Sequence, residues 1–185
     1  MHKRPLIALL TVVVALAATS VAVAAITVQG TVNAGATLTA TGVGSPSFNL
    51  TLNGIDQTTS YALPVSVVDA RGLASGGGWN LTITSTQFND GSGHTFPTTA
   101  STMTAVATVC GASSTCLAPT NGVANTNLAV PAATVAPAAV KWENAANATG
   151  LGTNTVTATI SVAVPANVFA GTYSSTVTVA IVAGP

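Results

Sequence analysis

The chain has 185 residues but only four Lys or Arg and four Asp or Glu, and its formal net charge is zero. Nucleic-acid binding and attraction to anionic lipid both need a cluster of basic residues, so this composition argues against those partners. Thr, Ser, Asn and Gly must supply most of the surface polarity, which suits contact with sugars, wall polymers or other proteins.

The N-terminal segment has the three-part pattern of a secretory signal peptide. Three basic residues precede an apolar stretch that continues to Leu16, and small residues follow at Ala24 and Ala25, the two candidate cleavage positions. The apolar stretch is short for a membrane-spanning helix and no positively charged flank follows it, so an uncleaved anchor is the weaker alternative. We predict a signal peptide over residues 1–25, a secreted protein, and one domain over residues 26–185.

The remaining chain carries six charged side chains and no further stretch that is long and apolar enough to cross a membrane. Four of the six are acidic and two are basic, which gives a net charge of −2: Asp56, Asp69, Asp90, Glu143, Arg71 and Lys141. We therefore predict a mature chain without a transmembrane segment.

Alternation of apolar and polar residues dominates the rest of the sequence and predicts half-buried β-strands. In chain order, the alternation places strands at residues 26–28, 48–52, 65–67, 79–83, 103–109, 156–164 and 177–181. Gly-rich and Asn-rich turns separate these segments, and only residues 145–148 are compatible with a single helical turn. Short strands with such turns indicate a sandwich or an open barrel. We predict an all-β fold, a single-domain and Greek-key-like β-sandwich with long loops.

Cys110 and Cys116 are the only cysteines and lie six positions apart. In an exported protein such a pair usually forms a disulfide. The alternative is two ligands of a metal site, but His94 is the only histidine available to complete it. We therefore predict a disulfide and neither a metal nor another cofactor. The disulfide would hold the start of a long irregular stretch, residues 111–139.

Two motifs in this sequence resemble the signatures of WxL domains, a family of cell-surface domains. The first is an Asp-x-Arg-Gly turn at Asp69 and Arg71, followed by glycines and a Trp-x-Leu strand at Trp79 and Leu81. The second is Tyr173, followed by an alternating strand and a closing proline. The resemblance implies secretion by a Gram-positive bacterium, non-covalent attachment to the wall through peptidoglycan or another wall polymer, and work with other surface proteins.

The first motif also has a reading from its residues alone. Trp79 begins an alternating strand, so its ring is either a core anchor or a platform for sugar stacking, and we favour the core. Asp69 and Arg71 lie two positions apart and share a face of a strand, where they pair with each other or fix the turn that aims Trp79. A buried charge needs a partner, which favours a structural use of both residues.

The remaining candidate residues are aromatic. Trp142 lies between Lys141 and Glu143, so we expect it to be exposed and to be the better candidate for a stacking contact, with packing as the alternative. The Tyr173 hydroxyl is expected to bond to backbone, as in the corners of β-sandwiches. The candidate binding residues are Asp69, Arg71, Trp79, Leu81, Trp142 and Tyr173.

Catalytic constellations are scarce. His94 lies in a Gly- and Ser-rich loop, and we expect a solvated loop histidine rather than a general base, which would need an orienting acid and a nucleophile. We therefore predict a non-catalytic surface protein that binds peptidoglycan or a surface partner protein. The alternative is a self-assembling subunit of a surface fibre or layer, since free strand edges with little charge can pair between chains.

Overall fold

The structure is a computed structural model that describes residues 28–72 and 77–184. The predicted signal peptide, the predicted strand start at Ile26 and the closing Pro185 lie outside the described residues. Within those ranges every regular element is a β-strand, and none is a helix that could span a membrane. The prediction of an all-β sandwich is confirmed.

Nine β-strands make up the described fold. In chain order they are β1 (Leu38–Gly42), β2 (Gln57–Asp69), β3 (Trp79–Thr86), β4 (Ser101–Cys110), β5 (Leu128–Ala129), β6 (Ala132–Ala133), β7 (Val140–Ala145), β8 (Gly152–Val164) and β9 (Val177–Ala183).

The strands form two sheets that enclose one hydrophobic core. Sheet A has the antiparallel order β1-β2-β8-β4-β5. In sheet B, β3 pairs with β9 along one edge and with β7 and the short, parallel β6 along the other. Most neighbours within a sheet are distant in sequence, as in Greek-key arrangements.

The longest ladder joins β2 to β8, with Gln57 opposite Val164 at one end and Asp69 opposite Gly152 at the other. In β8 most inward positions are Val or Ile and most outward positions are Thr or Ser, whereas in β2 the apolar inward residues are confined to the second half of the strand. β8 matches its predicted alternation, and β2 is much longer than the predicted segment. Its first inward residues, Gln57 and Thr59, are polar and give no apolar period there.

A β-bulge in β4 reverses the predicted facing of that strand. Met103 pairs with Ile160 and Ala105 with the next residue of β8, so Thr104 is the extra residue. Met103 is buried as expected, but Ala105 and Val109 point outward and Val106 packs against the core. The prediction that residues 105, 107 and 109 face the core is wrong, because one inserted residue moves later side chains to the opposite face.

Two short segments differ from the sequence predictions. Residues 48–52 form no strand, although Phe48 and Leu50 still pack against the core. The segment carries the alternation of a strand without a partner strand for its backbone. Residues 146–149 form a tight turn and not the predicted turn of helix. The Thr149 N–H donates to the Ala146 carbonyl at 3.0 Å, and Ala148 has a φ of 60°, which is outside the helical range.

The predicted disulfide between Cys110 and Cys116 is confirmed. It links the end of β4 to the start of the long connection toward β5. Within the loop that it closes, Ser114 Oγ accepts the Thr153 N–H at 3.0 Å, and directly after the loop the Leu117 N–H donates to the Leu151 carbonyl at 2.9 Å. The disulfide loop is therefore fastened to the start of β8.

Replacing both cysteines with serine is expected to lower the free energy of unfolding by about 2 kcal/mol, because the disulfide restricts a short loop of the unfolded chain. Urea unfolding of the oxidised wild type and of the double variant measures the difference. Reducing agent should destabilise the wild type by the same amount and leave the variant unchanged. Equal stability of the two proteins would contradict the prediction.

Candidate functional site

The residues of the first motif form one buried ion pair. Asp69, the last residue of β2, is 2 % exposed and receives two hydrogen bonds from the Arg71 guanidinium, at 2.9 Å from Nε and 2.7 Å from Nη2. Arg71 Nη2 also donates to the Gly78 carbonyl at 2.8 Å, directly before β3. The predicted mutual pairing therefore occurs, and Arg71 also contacts the residue directly before Trp79.

The pKa of the Asp69 carboxyl reflects both burial and its partner. Burial raises it, but the hydrogen bonds and the positive charge of Arg71 together outweigh burial, so the pKa lies below its usual range. Asp69 is thus ionised in the folded protein and depends on Arg71 for its burial.

Trp79 is fully buried, which confirms its predicted core position, and Leu81 is buried beside it in the same strand. The indole Nε1 donates to the Gly150 carbonyl at 3.1 Å. Gly150 has a φ of 70°, and a Cβ there would lie 2.5 Å from the indole nitrogen. At Gly78, with a φ of 73°, a Cβ would clash with the Ala145 carbonyl. The glycines next to Trp79 therefore serve close packing around its ring.

Trp142 is also fully buried, so the expectation of an exposed ring is wrong. In the pairing of β7 with β3, Leu81 lies opposite Glu143 and Thr82 lies opposite Lys141. Trp142 is thus the extra residue of a β-bulge. Adjacent side chains of a strand point to opposite faces, so the exposed Lys141 leaves Trp142 on the core side, and charged sequence neighbours do not indicate an exposed ring. Its ring is not accessible for stacking on a ligand in this structure.

A polar cluster fastens the long connection to β7. Glu143 is buried and accepts a hydrogen bond from Asn125 Nδ2 at 2.8 Å. The Asn144 side chain accepts the Gly122 N–H at 2.6 Å, and the Asn144 N–H bonds to Asn121 Oδ1 at 3.1 Å. Burial raises the pKa of Glu143, and the hydrogen bond from Asn125 only partly offsets this effect.

Tyr173 has the predicted backbone contact, since its hydroxyl donates to the Phe169 carbonyl at 3.1 Å. Its ring stacks on Phe96 with the centroids 4.3 Å apart. Phe96 in turn lies 5.6 Å from Phe88, and Phe88 lies 5.7 Å from Phe48, measured between ring centroids. Tyr173 is therefore one member of a continuous aromatic cluster.

This cluster borders a cavity of about 980 Å³, hereafter the aromatic cavity. It lies at the end of the sandwich formed by the start of β2, the end of β8 and the start of β9. All four phenylalanines and both tyrosines of the chain line it: Phe48, Tyr61, Phe88, Phe96, Phe169 and Tyr173. Of these six residues only Tyr173 belongs to a sequence motif, and only the fold brings the other five to the same end of the sandwich.

The aromatic cavity is electrically neutral. Its lining, within the described residues, contains no Asp, Glu, Lys or Arg, and its polar groups are hydroxyls, the Asn49 amide and backbone. Burial raises the pKa of Tyr61 to about 12, so this phenol stays protonated at neutral pH and keeps its O–H donor. The cavity combines aromatic faces with neutral hydrogen-bonding groups.

His94 lies in a surface loop outside the lining of the aromatic cavity and contacts Phe169, which is part of that lining. Its ring stacks on Phe169 with centroids 3.8 Å apart, and its Nδ1 lies 2.5 Å from Asp90 Oδ2. The hydrogen bond from His94 is the main cause that lowers the pKa of Asp90, and the amides of Ser92 and His94 add to it. His94 is thus held in place rather than fully solvated. The described residues contain no cluster of three or more His, Cys, Asp or Glu that could hold a metal ion.

The candidate residues therefore fall into two groups. Asp69, Arg71, Trp79, Leu81 and Trp142 belong to the core and its ion pair, whereas Tyr173 lines the aromatic cavity. Comparison of the chain with protein-family models, with curated proteins and with solved structures finds no match.

Replacing Arg71 with alanine is expected to lower the free energy of unfolding by about 3 kcal/mol, because a buried carboxylate loses the charged partner that neutralises it. Urea unfolding at neutral pH measures the change. Lys141→Ala is the matched control, because Lys141 is exposed, and its effect should stay within about 0.5 kcal/mol. A loss no larger than that of the control would contradict a stabilising role for the ion pair.

Replacing Glu143 with glutamine is expected to change how stability depends on pH. The pKa of Glu143 is raised in the folded state. The protonated carboxyl therefore contributes fully to the free energy of unfolding at a pH below the usual carboxyl range, and this contribution is lost as pH rises through the raised pKa. The variant should therefore gain stability relative to the wild type between mildly acidic and neutral pH. Unfolding free energies across this range test it, with the exposed Asp56→Asn as control. Parallel pH profiles for Glu143→Gln and wild type would refute it.

Proposed function

We propose that this protein is an exported, non-catalytic surface protein that binds the glycan of peptidoglycan in the aromatic cavity. The observation that carries the proposal is the convergence of all six Phe and Tyr side chains on one neutral cavity. Binding sites for small ligands are concave, largely apolar and aromatic, and carry a few polar groups that orient the ligand.

The chemistry of the lining favours a neutral sugar. A sugar ring offers a face of C–H groups that packs on an aromatic ring and a rim of hydroxyls that need hydrogen-bond partners. The aromatic cavity supplies rings such as Phe48 and Phe169, the phenol of Tyr61 and the amide of Asn49. An anionic wall polymer would require basic side chains, which this lining does not provide among the described residues.

Three features of the chain support a location at the wall or cell surface. The N-terminal segment has the pattern of a signal peptide. The Cys110–Cys116 disulfide is typical of exported proteins. The two sequence motifs resemble those of WxL domains, whose members attach to peptidoglycan. The core positions of Asp69, Arg71 and Trp79 assign the first motif to stability, so we place the contact in the aromatic cavity instead.

The proposal predicts that the secreted protein sediments with purified wall sacculi and that Phe169→Ala weakens this binding about tenfold. Phe169 is 63 % exposed, so its loss should leave the fold intact. Val182→Ser, at a residue that is 56 % exposed on β9 and outside the cavity lining, is the matched control and should bind like the wild type. Binding should be nearly independent of salt, because no charged group lines the cavity.

Three wall preparations separate the ligands. Binding to sacculi stripped of both protein and anionic polymer supports the glycan. Loss of binding after protease treatment alone would instead identify a surface partner protein, and loss after removal of the anionic polymer would identify that polymer. Either loss, or equal binding by Phe169→Ala and wild type, overturns the proposed use of the cavity.

A further inference from the structure

The outer edge of β4 has no partner strand over most of its length. β8 occupies one edge of β4, whereas β5 pairs only with Thr102 and Met103 on the other. From Ala105 to Cys110, the described residues give the outer edge no hydrogen-bonding partner. The bulge at Thr104 and the disulfide at Cys110 bound this segment, hereafter the free edge.

The pairing with β8 fixes which backbone groups of the free edge point outward. Gly111 donates its N–H to the Thr153 carbonyl on the β8 side. In an antiparallel pair, successive residues alternate between bonding to the partner and pointing away from it. The N–H and C=O groups of Val106, Thr108 and Cys110 therefore point away from β8, and this regular row is what an added strand requires.

The side chains of the free edge do not block such an addition. Edge strands are usually protected by lysine, proline or an inward-pointing charge. The sequence from Ala105 to Cys110 contains only Ala, Val, Thr and Cys. Its outward-facing Val109 is 63 % exposed.

We propose that a second copy of this chain pairs with the free edge, antiparallel about a two-fold axis at Ala107. This register places Ala107 opposite its own counterpart and Val109 opposite Ala105 of the other copy, on the outer face. On the inner face, Val106 lies opposite Thr108. It aligns the outward backbone groups of Val106 and Thr108 in both copies, uses the free edge from Ala105 to Val109 and covers Val109 with an apolar neighbour.

The pairing joins two A sheets and then stops. Both copies use the same edge, so the contact is self-complementary and leaves that edge occupied in each copy. The product is a closed dimer rather than the open fibre considered from the sequence. The proposed dimer does not depend on the aromatic cavity, since no residue of the free edge lines that cavity.

Light scattering of the secreted protein over a concentration series tests the dimer. Ala107→Lys should weaken the dimer at least about tenfold, because it places two like charges opposite each other at the axis. The matched control is Ala62→Lys, an equally exposed position on the same face but on β2, away from the free edge. Thermal unfolding of both variants confirms that they fold, since both positions are exposed.

Mixing Ala107→Lys with Ala107→Glu should restore a dimer that contains one copy of each. In the wild type, amide exchange should slow with rising concentration at Val106 and Thr108, and not at the residues already bonded to β8. A protein that stays monomeric at its highest workable concentration overturns the inference. So does a dimer unaffected by Ala107→Lys, or growth into filaments.

Discussion

The carboxylate of Asp69 is buried at the end of β2, and Arg71, which neutralises its charge, also contacts the second sheet. Arg71 binds both of its oxygens and uses a further N–H on the carbonyl of Gly78. One guanidinium therefore contacts the end of β2 in sheet A and the residue directly before β3 in sheet B. Trp79 follows at once, and its indole bonds to Gly150 just before β8. The ion pair thus joins residues of both sheets next to one of the two buried tryptophans of the core.

The Asp69–Arg71 ion pair and the aromatic cavity lie at opposite ends of the ladder that joins β2 to β8. β2 and β8 run antiparallel for thirteen residues, with Asp69 opposite Gly152 at the end with the ion pair and Gln57 opposite Val164 at the end with the cavity. A binding site gains accuracy when rigid strands hold it. At the cavity end, the aromatic rings belong to strand ends and to connecting segments that pair with no strand, such as residues 48–52. The ion pair can therefore stabilise the scaffold without contributing a group to the site.

The strands with clear alternation, the disulfide and the core position of Trp79 could be predicted because each depends on local sequence. The failures have a common cause in register and distance. The single inserted residue at Thr104 changes which face later side chains of β4 occupy, and nothing in the local pattern marks it. The aromatic cavity joins Phe48 to Tyr173 through non-local pairing, so alternation within any one segment gives no sign of it.

The small number of charges explains why the two proposed contact surfaces are neutral. Most of the six charged side chains in the described residues have contacts within the fold. Asp69 pairs with Arg71, Asp90 pairs with His94, and the buried Glu143 accepts a hydrogen bond from Asn125. These charges act within the fold. Recognition at the aromatic cavity and at the free edge must then depend on ring faces, hydroxyls and backbone groups. Such contacts are short-ranged and little affected by salt, so neither would use electrostatic steering to accelerate association. Specificity at both surfaces would depend on shape and on the register of hydrogen bonds.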